Sequence, residues 1–183
     1  GDALTTGEKN VAIGYLALST EDTGSRSVAI GHGALRNQNN DTNNYNTAVG
    51  FDAGNLITTG TLNTVVGGLA GDALIEGTGN VAVGYQALSS EDGHGANVAI
   101  GHNSLATLNA GADAYNVAIG YNSGMGMTTG IRNNLIGGLA GDSITTGGGN
   151  EVLGYNALSA NTEGSFNIAI GQSSLSNNVL GSK

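Results

Sequence analysis

Acidic side chains recur in pairs whose chemistry could cleave glycosidic bonds. Glu21-Asp22 and Glu91-Asp92 occupy the same place in two copies of one sequence block, and Glu163 follows in a third copy. Glycosidases hold two carboxylates roughly 5–10 Å apart across a cleft. The two pairs here are 70 residues apart and nothing in the sequence indicates a cleft. A solvated acidic edge is therefore the preferred interpretation, and no catalytic residue is assigned.

A second group of acidic residues could bind calcium. Three aspartates follow a glycine in equivalent positions, namely Asp2, Asp72 and Asp142. Calcium requires about six to eight oxygen ligands, whereas one aspartate recurs only every 70 residues. A turn-capping role fits these residues better.

Histidines are the remaining metal-ligand candidates. His32 and His102 occupy one repeat position that elsewhere holds mainly Tyr or Phe, so the position predicts packing of planar side chains. His94 lies in a glycine-rich loop, where we expect it to be solvated. We assign no metal ligand and no cofactor.

Paired threonines raise the possibility of a threonine-rich face that orders water, as in an ice-binding protein. The motif Thr-Thr-Gly occurs at 5–7, 58–60, 128–130 and 145–147. It is interrupted elsewhere, for example by Glu76-Gly77, so a flat and unbroken threonine face is not indicated.

The composition excludes several classes of protein. The 183 residues include 33 Gly, no Pro and no Cys, only 10% are charged, and the net charge is −9. The five basic residues are scattered, so no basic surface for nucleic acid is expected. Without cysteine there are no disulfides and no cysteine-based zinc sites. No apolar run is long enough to cross a membrane, so direct membrane insertion is not expected.

A repeat explains the glycine content and predicts the fold. The block Asn-x-apolar-apolar-Gly occurs ten times, with its glycine at 14, 31, 50, 67, 84, 101, 120, 137, 154 and 171. The glycine spacing is 17 or 19 residues, and the series repeats every 70. Such short repeats, rich in β-branched residues and punctuated by Asn and Gly, predict a parallel β-solenoid of ten coils.

The superunits define the domain organisation. They span 1–70, 71–140 and a partial 141–183, so we interpret 1–183 as one repetitive β-roll segment taken from a longer array. Each coil has room for two or three short strands, stacked at about 4.8 Å.

Two columns of apolar residues alternate along each repeat. We predict that the larger column points into the coil: Ile13, Ile30, Val49, Val66, Val83, Ile100, Ile119, Ile136, Leu153 and Ile170. The preceding column is smaller, and its alanines are Ala12, Ala29, Ala48, Ala82, Ala99, Ala118 and Ala169. Adjacent strand residues face opposite sides, so the alanines are predicted to form the interface of a homo-oligomer. Cover by a loop of the same chain is the alternative.

The asparagine that opens each block predicts a structural ladder at a corner of the coil, with amides bonded along the stack and to turn backbone groups. Its members are Asn10, Asn46, Asn63, Asn80, Asn97, Asn116, Asn133, Asn150 and Asn167, and Ser27 replaces asparagine once.

The two 19-residue coils carry longer polar loops that could bind a ligand. Their composition suits hydrogen bonding to sugars, although polar loops that simply keep neighbouring fibres apart are the preferred interpretation. The candidate ligand residues are Asn39, Asn40, Asn43, Asn44, Tyr45 and Tyr115.

The motifs Asn-Val-Ala-Ile-Gly-Tyr-x-Ala-Leu and Asn-Val-Ala-Ile-Gly-His-x-Ser-Leu resemble the head repeats of YadA-like trimeric autotransporter adhesins and the repeats of phage tail fibres. The resemblance covers residues 1–180, although the adhesin coils are shorter. It implies a left-handed parallel β-roll, three chains around a common axis, and a role in attachment.

We therefore expect a non-enzymatic, extracellular homotrimer, from a virion tail fibre or a bacterial cell surface. It would serve as a structural shaft or head segment that mediates host attachment, with a cell-surface glycan or protein as receptor. A stand-alone solenoid that binds polysaccharide or ice is the alternative from another class, followed by a tailspike glycan hydrolase.

Overall fold

The computed structural model describes residues 1–179 and contains one parallel β-sheet. Each coil contributes one three-residue strand. The strands are β1 (Val11–Ile13), β2 (Val28–Ile30), β3 (Thr47–Val49), β4 (Thr64–Val66), β5 (Val81–Val83), β6 (Val98–Ile100), β7 (Val117–Ile119), β8 (Asn134–Ile136), β9 (Glu151–Leu153) and β10 (Ile168–Ile170). They stack in chain order without a crossover. The predicted all-β parallel solenoid is confirmed.

Every strand pairs with the next one in a constant register. Val11 pairs with Val28, Ala12 with Ala29 and Ile13 with Ile30, and the same alignment continues through β10. Equivalent repeat positions therefore form straight columns parallel to the stacking axis. Nine spacings of about 4.8 Å make the sheet about 43 Å long.

The coils contain fewer strands than we predicted, because most of each coil turns. The glycine after each strand has a positive φ, such as 133° at Gly67, and a Cβ there would lie 2.5 Å from the Gly84 carbonyl oxygen. The second and fourth residues after that glycine are also left-handed, as at Leu16 and Leu18, with φ of 56° and 50°. Coil-to-coil hydrogen bonds continue through these turns, for example from the Leu18 N–H to the Ala34 carbonyl.

The strand columns face the opposite way from the prediction. In the chain alone Ala29, Ala48, Ala82, Ala99, Ala118 and Ala169 are fully buried, whereas Ala12, in the same register, is exposed in the first coil. The alanine column therefore lines the coil interior and is not an oligomer interface. The larger column, Ile13, Ile30, Val49, Val66, Val83, Ile100, Ile119, Ile136, Leu153 and Ile170, is half-buried or exposed, so its assignment to the coil core was wrong.

The narrow interior explains this exchange. The leucine four residues after the repeat glycine, such as Leu35 or Leu88, already fills the space opposite the strand and is fully buried. Little space then remains at the inward strand position, which holds Ala in most of these coils and Val152 in the coil of Leu158. Where that position holds Leu135, the residue opposite is Gly141, whose added Cβ would lie 3.0 Å from a Leu135 methyl. The coils with glycine at that fourth position bury a larger residue three positions later, such as Ile57 or Ile144, as close packing requires.

The asparagine column is buried and satisfies backbone groups of the next coil. The Asn63 Oδ1 accepts a hydrogen bond from the Asn80 N–H (2.9 Å), and its Nδ2 donates to the Gly77 carbonyl (2.7 Å). The same pair of bonds recurs at Asn10, Asn46, Asn80, Asn116, Asn133 and Asn150. The side-chain Oδ1 atoms of Asn97 and Asn150 accept hydrogen bonds from the backbone N–H groups of Asn116 and Asn167. Because unpaired buried amides cost free energy, this column holds adjacent coils in register.

The Ser27 exception is compensated by a glutamine from another corner. The Gln38 Nε2 donates to the Ser27 Oγ (2.9 Å), and the Gln38 Oε1 accepts from the Asn46 Nδ2 (2.8 Å). The buried Gln38 side chain therefore occupies the space that an asparagine at position 27 would need.

Candidate functional site

The outward face of the sheet is mainly apolar, and we call it the outer face. It consists of the first and third residue of each strand. Within a chain that carries 14 acidic residues, Glu151 is the only charged residue of the ten strands. Among the third residues Ile13 is 59% exposed and Ile170 is 68% exposed, and the central members are half-buried. The large apolar side chains at the third strand position are thus exposed to water in the single chain.

Polar residues interrupt the outer face at the first strand position. Thr47 and Thr64 occupy this position in β3 and β4, and Asn134 and Glu151 occupy it in β8 and β9. The Asn134 Nδ2 lies 2.9 Å from both carboxylate oxygens of Glu151. The Asn134 amide donates hydrogen bonds to the Glu151 carboxylate, so Glu151 is not an isolated charge on the outer face.

Aromatic rings extend the outer face beyond the strands. The residues directly after the repeat glycines stack along the axis as Tyr15–His32–Phe51 and as Tyr85–His102–Tyr121. Ring centroids lie 5.1 to 5.4 Å apart, within the range of favourable stacking. His32 and His102 are thus packed between aromatic neighbours, as the sequence predicted for planar side chains.

The regularity of the outer face sets it apart from ordinary surface. The first and third residues of a strand lie about 7 Å apart, so a face about 43 Å long covers roughly 300 Å². The largest apolar patch on a typical soluble monomer covers about 300–600 Å² and is often functional. The outer face lies at the lower end of that range, and its uninterrupted column of Val, Ile and Leu at the third strand position makes it the strongest candidate functional surface.

The predicted ligand loops are only partly available to a ligand. Asn39, Asn43 and Tyr45 are exposed, and so is Tyr115 in the second long coil. The Tyr45 ring lies under the Arg26 guanidinium, 5.4 Å from its carbon atom.

Two of the predicted loop residues have structural roles instead. Asn44 is fully buried, and its Nδ2 donates to the Glu21 carboxylate at 3.0 Å. This overturns its assignment as a ligand residue, because a buried amide bonded inside the coil cannot reach a sugar. The Asn40 Nδ2 donates to the Thr59 carbonyl of the next coil, so that amide also supports the stack.

The paired carboxylates do not form a solvated acidic edge. Glu21 and Glu91 are fully buried inside their coils, each at the seventh position after the repeat glycine. Around Glu21 the Gly24 N–H (2.8 Å), the Gln38 Nε2 (2.9 Å) and the Asn44 Nδ2 all donate hydrogen bonds. The expectation of a solvated edge was therefore wrong for both glutamates. The signal that could have placed these glutamates inside is the apolar residue at the same repeat position in other coils, such as Ile57, Leu74 and Met127, each of which is fully buried.

Two half-buried aspartates have altered acidity. Burial raises the pKa of Asp72, a backbone hydrogen bond opposes the shift, and the nearby Asp52 carboxylate adds to it. Burial also raises the pKa of Asp142. In both, Oδ1 is buried without a hydrogen-bond donor.

The threonine motifs use their hydroxyl groups within the chain. The Thr58 Oγ1 donates to the Ile75 carbonyl (3.1 Å), and the Thr145 Oγ1 donates to the Thr162 carbonyl (2.9 Å). Thr5 and Thr128 make equivalent bonds. These hydroxyls brace one coil against the next, which weakens the case for a water-ordering face.

Comparison with known proteins returns no relative. No protein-family model matches the chain, and neither do curated proteins or solved structures. In residues 1–179, no helix is long and apolar enough to cross a membrane.

Proposed function

We propose that this chain is a structural shaft or head segment of an extracellular homotrimeric fibre that mediates attachment to a host or another surface. The observation that carries the proposal is the outer face, whose third strand position holds Val, Ile or Leu in every strand, on the outside of a coil whose interior is already filled. An isolated chain would leave this face in water at a cost of about 25 cal/mol per Å². Covering it supplies the driving force for assembly.

Sister copies of the chain are the occupants that fit this face best. A second copy presents the same side chains at the same spacing of about 4.8 Å, so two parallel rods match rung by rung. The charges that give the chain its net −9 lie almost entirely off the strands, so like-charge repulsion does not oppose contact there. The threefold number, the left-handed winding and the extracellular setting rest on the resemblance of the repeats to adhesin heads and tail fibres.

Attachment would use the surfaces that point away from the partners. The exposed residues Asn39, Asn43 and Tyr45 project from the rigid coil stack, and Tyr115 does so in the second superunit. Three chains with two such loops each would present many copies of a weak site. Multivalency multiplies weak contacts without new interactions, which suits a cell-surface glycan or protein receptor.

The particle mass measured by sedimentation equilibrium tests the assembly. We expect three chain masses for the wild type. Ile100→Glu places a charge in the middle of the outer face, so it should release monomers that keep the β circular dichroism spectrum. Thr129→Glu, at an exposed turn position, is the matched control and should leave the trimer intact. A monomeric wild type, or a trimer that survives Ile100→Glu, would exclude this mode of assembly.

A further inference from the structure

Two equivalent coils bury a glutamate but stabilise it differently. Glu21 and Glu91 are 70 residues apart and both are fully buried. In the first copy the carboxylate accepts hydrogen bonds from two side-chain amides and from the backbone N–H groups of Gly24 and Asn40. A buried carboxylate needs such partners, because its desolvation otherwise costs several kcal/mol.

The second copy lacks the two side-chain amides. Leu108 stands where the first copy has Gln38, and Ala114 stands where it has Asn44. The Glu91 Oε2 accepts a bond from the Ala110 N–H at 3.3 Å, and the Glu91 Oε1 is buried without a hydrogen bond. Burial raises the pKa of Glu91, while the Ala110 N–H and the nearby His94 oppose the shift. Glu91 is thus a buried carboxyl group with fewer hydrogen-bond donors around it than Glu21 has.

The second copy gains a histidine at the same place. His94 stands where the first copy has Gly24. Its Nδ1 lies 3.4 Å from the Glu91 Oε1, is buried, and makes no hydrogen bond. One ligand atom each from Glu91, Asp92 and His94 can be chosen so that all three lie within 4.8 Å of one another. The Glu91 Oε1 and the His94 Nδ1 are therefore two buried ligand atoms, 3.4 Å apart, and neither makes a hydrogen bond.

We propose that Glu91, Asp92 and His94 form a binding site for a divalent transition-metal ion of the zinc type. A tetrahedral ion with bonds of about 2.0–2.1 Å separates two ligand atoms by about 3.3–3.4 Å. That is the separation of the His94 and Glu91 atoms. One imidazole and two carboxylates match the ligand preference of zinc, with water completing the shell, whereas calcium would require more oxygen ligands.

The charges also balance at this site. Two carboxylates offset the two positive charges of the ion, and the neutral imidazole supplies a nitrogen lone pair. The ion thereby replaces the amides that surround Glu21 in the first copy. Since the ligands span only four residues, the ion would fix the turn 91–94 onto the coil. The site belongs to a single chain, so it does not depend on assembly.

Zinc titration of the chelator-treated protein tests the site. We expect isothermal titration calorimetry to give one ion per chain and the unfolding temperature to rise. Cobalt should give the visible absorption of a four-coordinate ion. His94→Gly, which restores the residue of the first copy, should abolish all three signals. His102→Ala, at the exposed aromatic ladder, should leave all three signals unchanged.

A transplant of the amides provides a variant that keeps its fold. Leu108→Gln with Ala114→Asn gives Glu91 the donors that surround Glu21, so the variant should unfold cooperatively and bind zinc at least tenfold more weakly. The proposal is wrong if the wild type does not bind zinc at millimolar concentration. It is also wrong if binding persists unchanged in His94→Gly, since surface histidines would then be the ligands.

Discussion

At the residue scale, backbone conformation decides which positions tolerate a side chain. Gly67 and Gly68 are neighbours in sequence and have opposite requirements. Gly67 has a φ of 133°, and an added Cβ would lie 2.5 Å from the Gly84 carbonyl oxygen, whereas a Cβ at Gly68 would lie 3.6 Å from the Tyr85 ring. The first glycine is required by geometry, and the second only leaves a gap in the aromatic ladder.

Alanine substitution separates these two roles. Gly67→Ala should reduce the free energy of unfolding by about 2–3 kcal/mol, because it combines a strained φ with a clash against the next coil. Gly68→Ala should change it by less than about 0.5 kcal/mol. Urea unfolding followed by circular dichroism measures both values. Equal losses would show that the turn does not have the described conformation.

Burial of an aspartate predicts a pH dependence. Burial raises the pKa of Asp142 in the folded state, so the folded chain holds this proton more tightly than the unfolded chain. The resulting destabilisation is full above the raised pKa and disappears as the pH falls through it towards the ordinary value.

Asp142→Asn should therefore increase the stability of the folded chain at pH 7. The variant should also lack part of the increase in stability that the wild type shows as the pH falls. Thermal unfolding between pH 7 and pH 4 measures the difference. Asp2→Asn, at the equivalent exposed position, is the control and should behave like the wild type. A pH profile that is identical in Asp142→Asn and the wild type would contradict the assignment.

At the element scale, each coil is defined by complementary choices at several corners. The exception in the asparagine column shows this, because Ser27, Gln38 and Asn46 form one hydrogen-bonded unit with Glu21. In the second superunit Asn97 and Leu108 stand at the positions of Ser27 and Gln38. We therefore expect that neither of these two positions can be changed without a matching change at the other.

A double-mutant cycle tests this coupling. Gln38→Leu should cost about 2–4 kcal/mol, since it removes one buried hydrogen bond from Glu21 and one from the Asn46 amide, and it removes the side-chain partner of the Ser27 hydroxyl. Adding Ser27→Asn restores the combination of the second superunit and should recover at least about 1 kcal/mol. Unfolding free energies of the single and double variants provide the test. Strict additivity would mean that the corner is not a unit.

Sequence reasoning predicted the elements well and their orientation badly. The glycine spacing and the Asn-x-apolar-apolar-Gly block predicted the parallel solenoid, because equivalent positions must stack in register. The direction of Ala99 and Ile100 could not be read from the strand alone, since both are apolar. It depends on Leu105 across the coil, which takes the space that a larger strand residue would need. The burial of Glu21 was missed for the same reason, because it depends on contacts between corners of the coil that are far apart in sequence.

At the scale of the whole molecule, the chain is a one-dimensional stack in which each coil contacts only its neighbours. Such a stack has no second layer to cover the outside of its sheet. The alanine column lines the coil interior and the larger apolar column lies outside. Assembly through an apolar sheet face is therefore still expected, but through the opposite face from the one that the sequence predicted. Val83, Ile100 and Ile119 replace the alanines as the predicted contact between chains.

Disulfide formation from a single cysteine in the outer face tests this claim most directly. The chain has no cysteine, so Ile119→Cys introduces the only thiol. A threefold axis parallel to the coil stack brings equivalent residues of sister chains together at the same height. We predict that oxidation yields covalent dimers that disappear on reduction, whereas Thr129→Cys yields none. Ile119→Cys that stays monomeric and reacts fully with a maleimide in the native state would show that the outer face is bare.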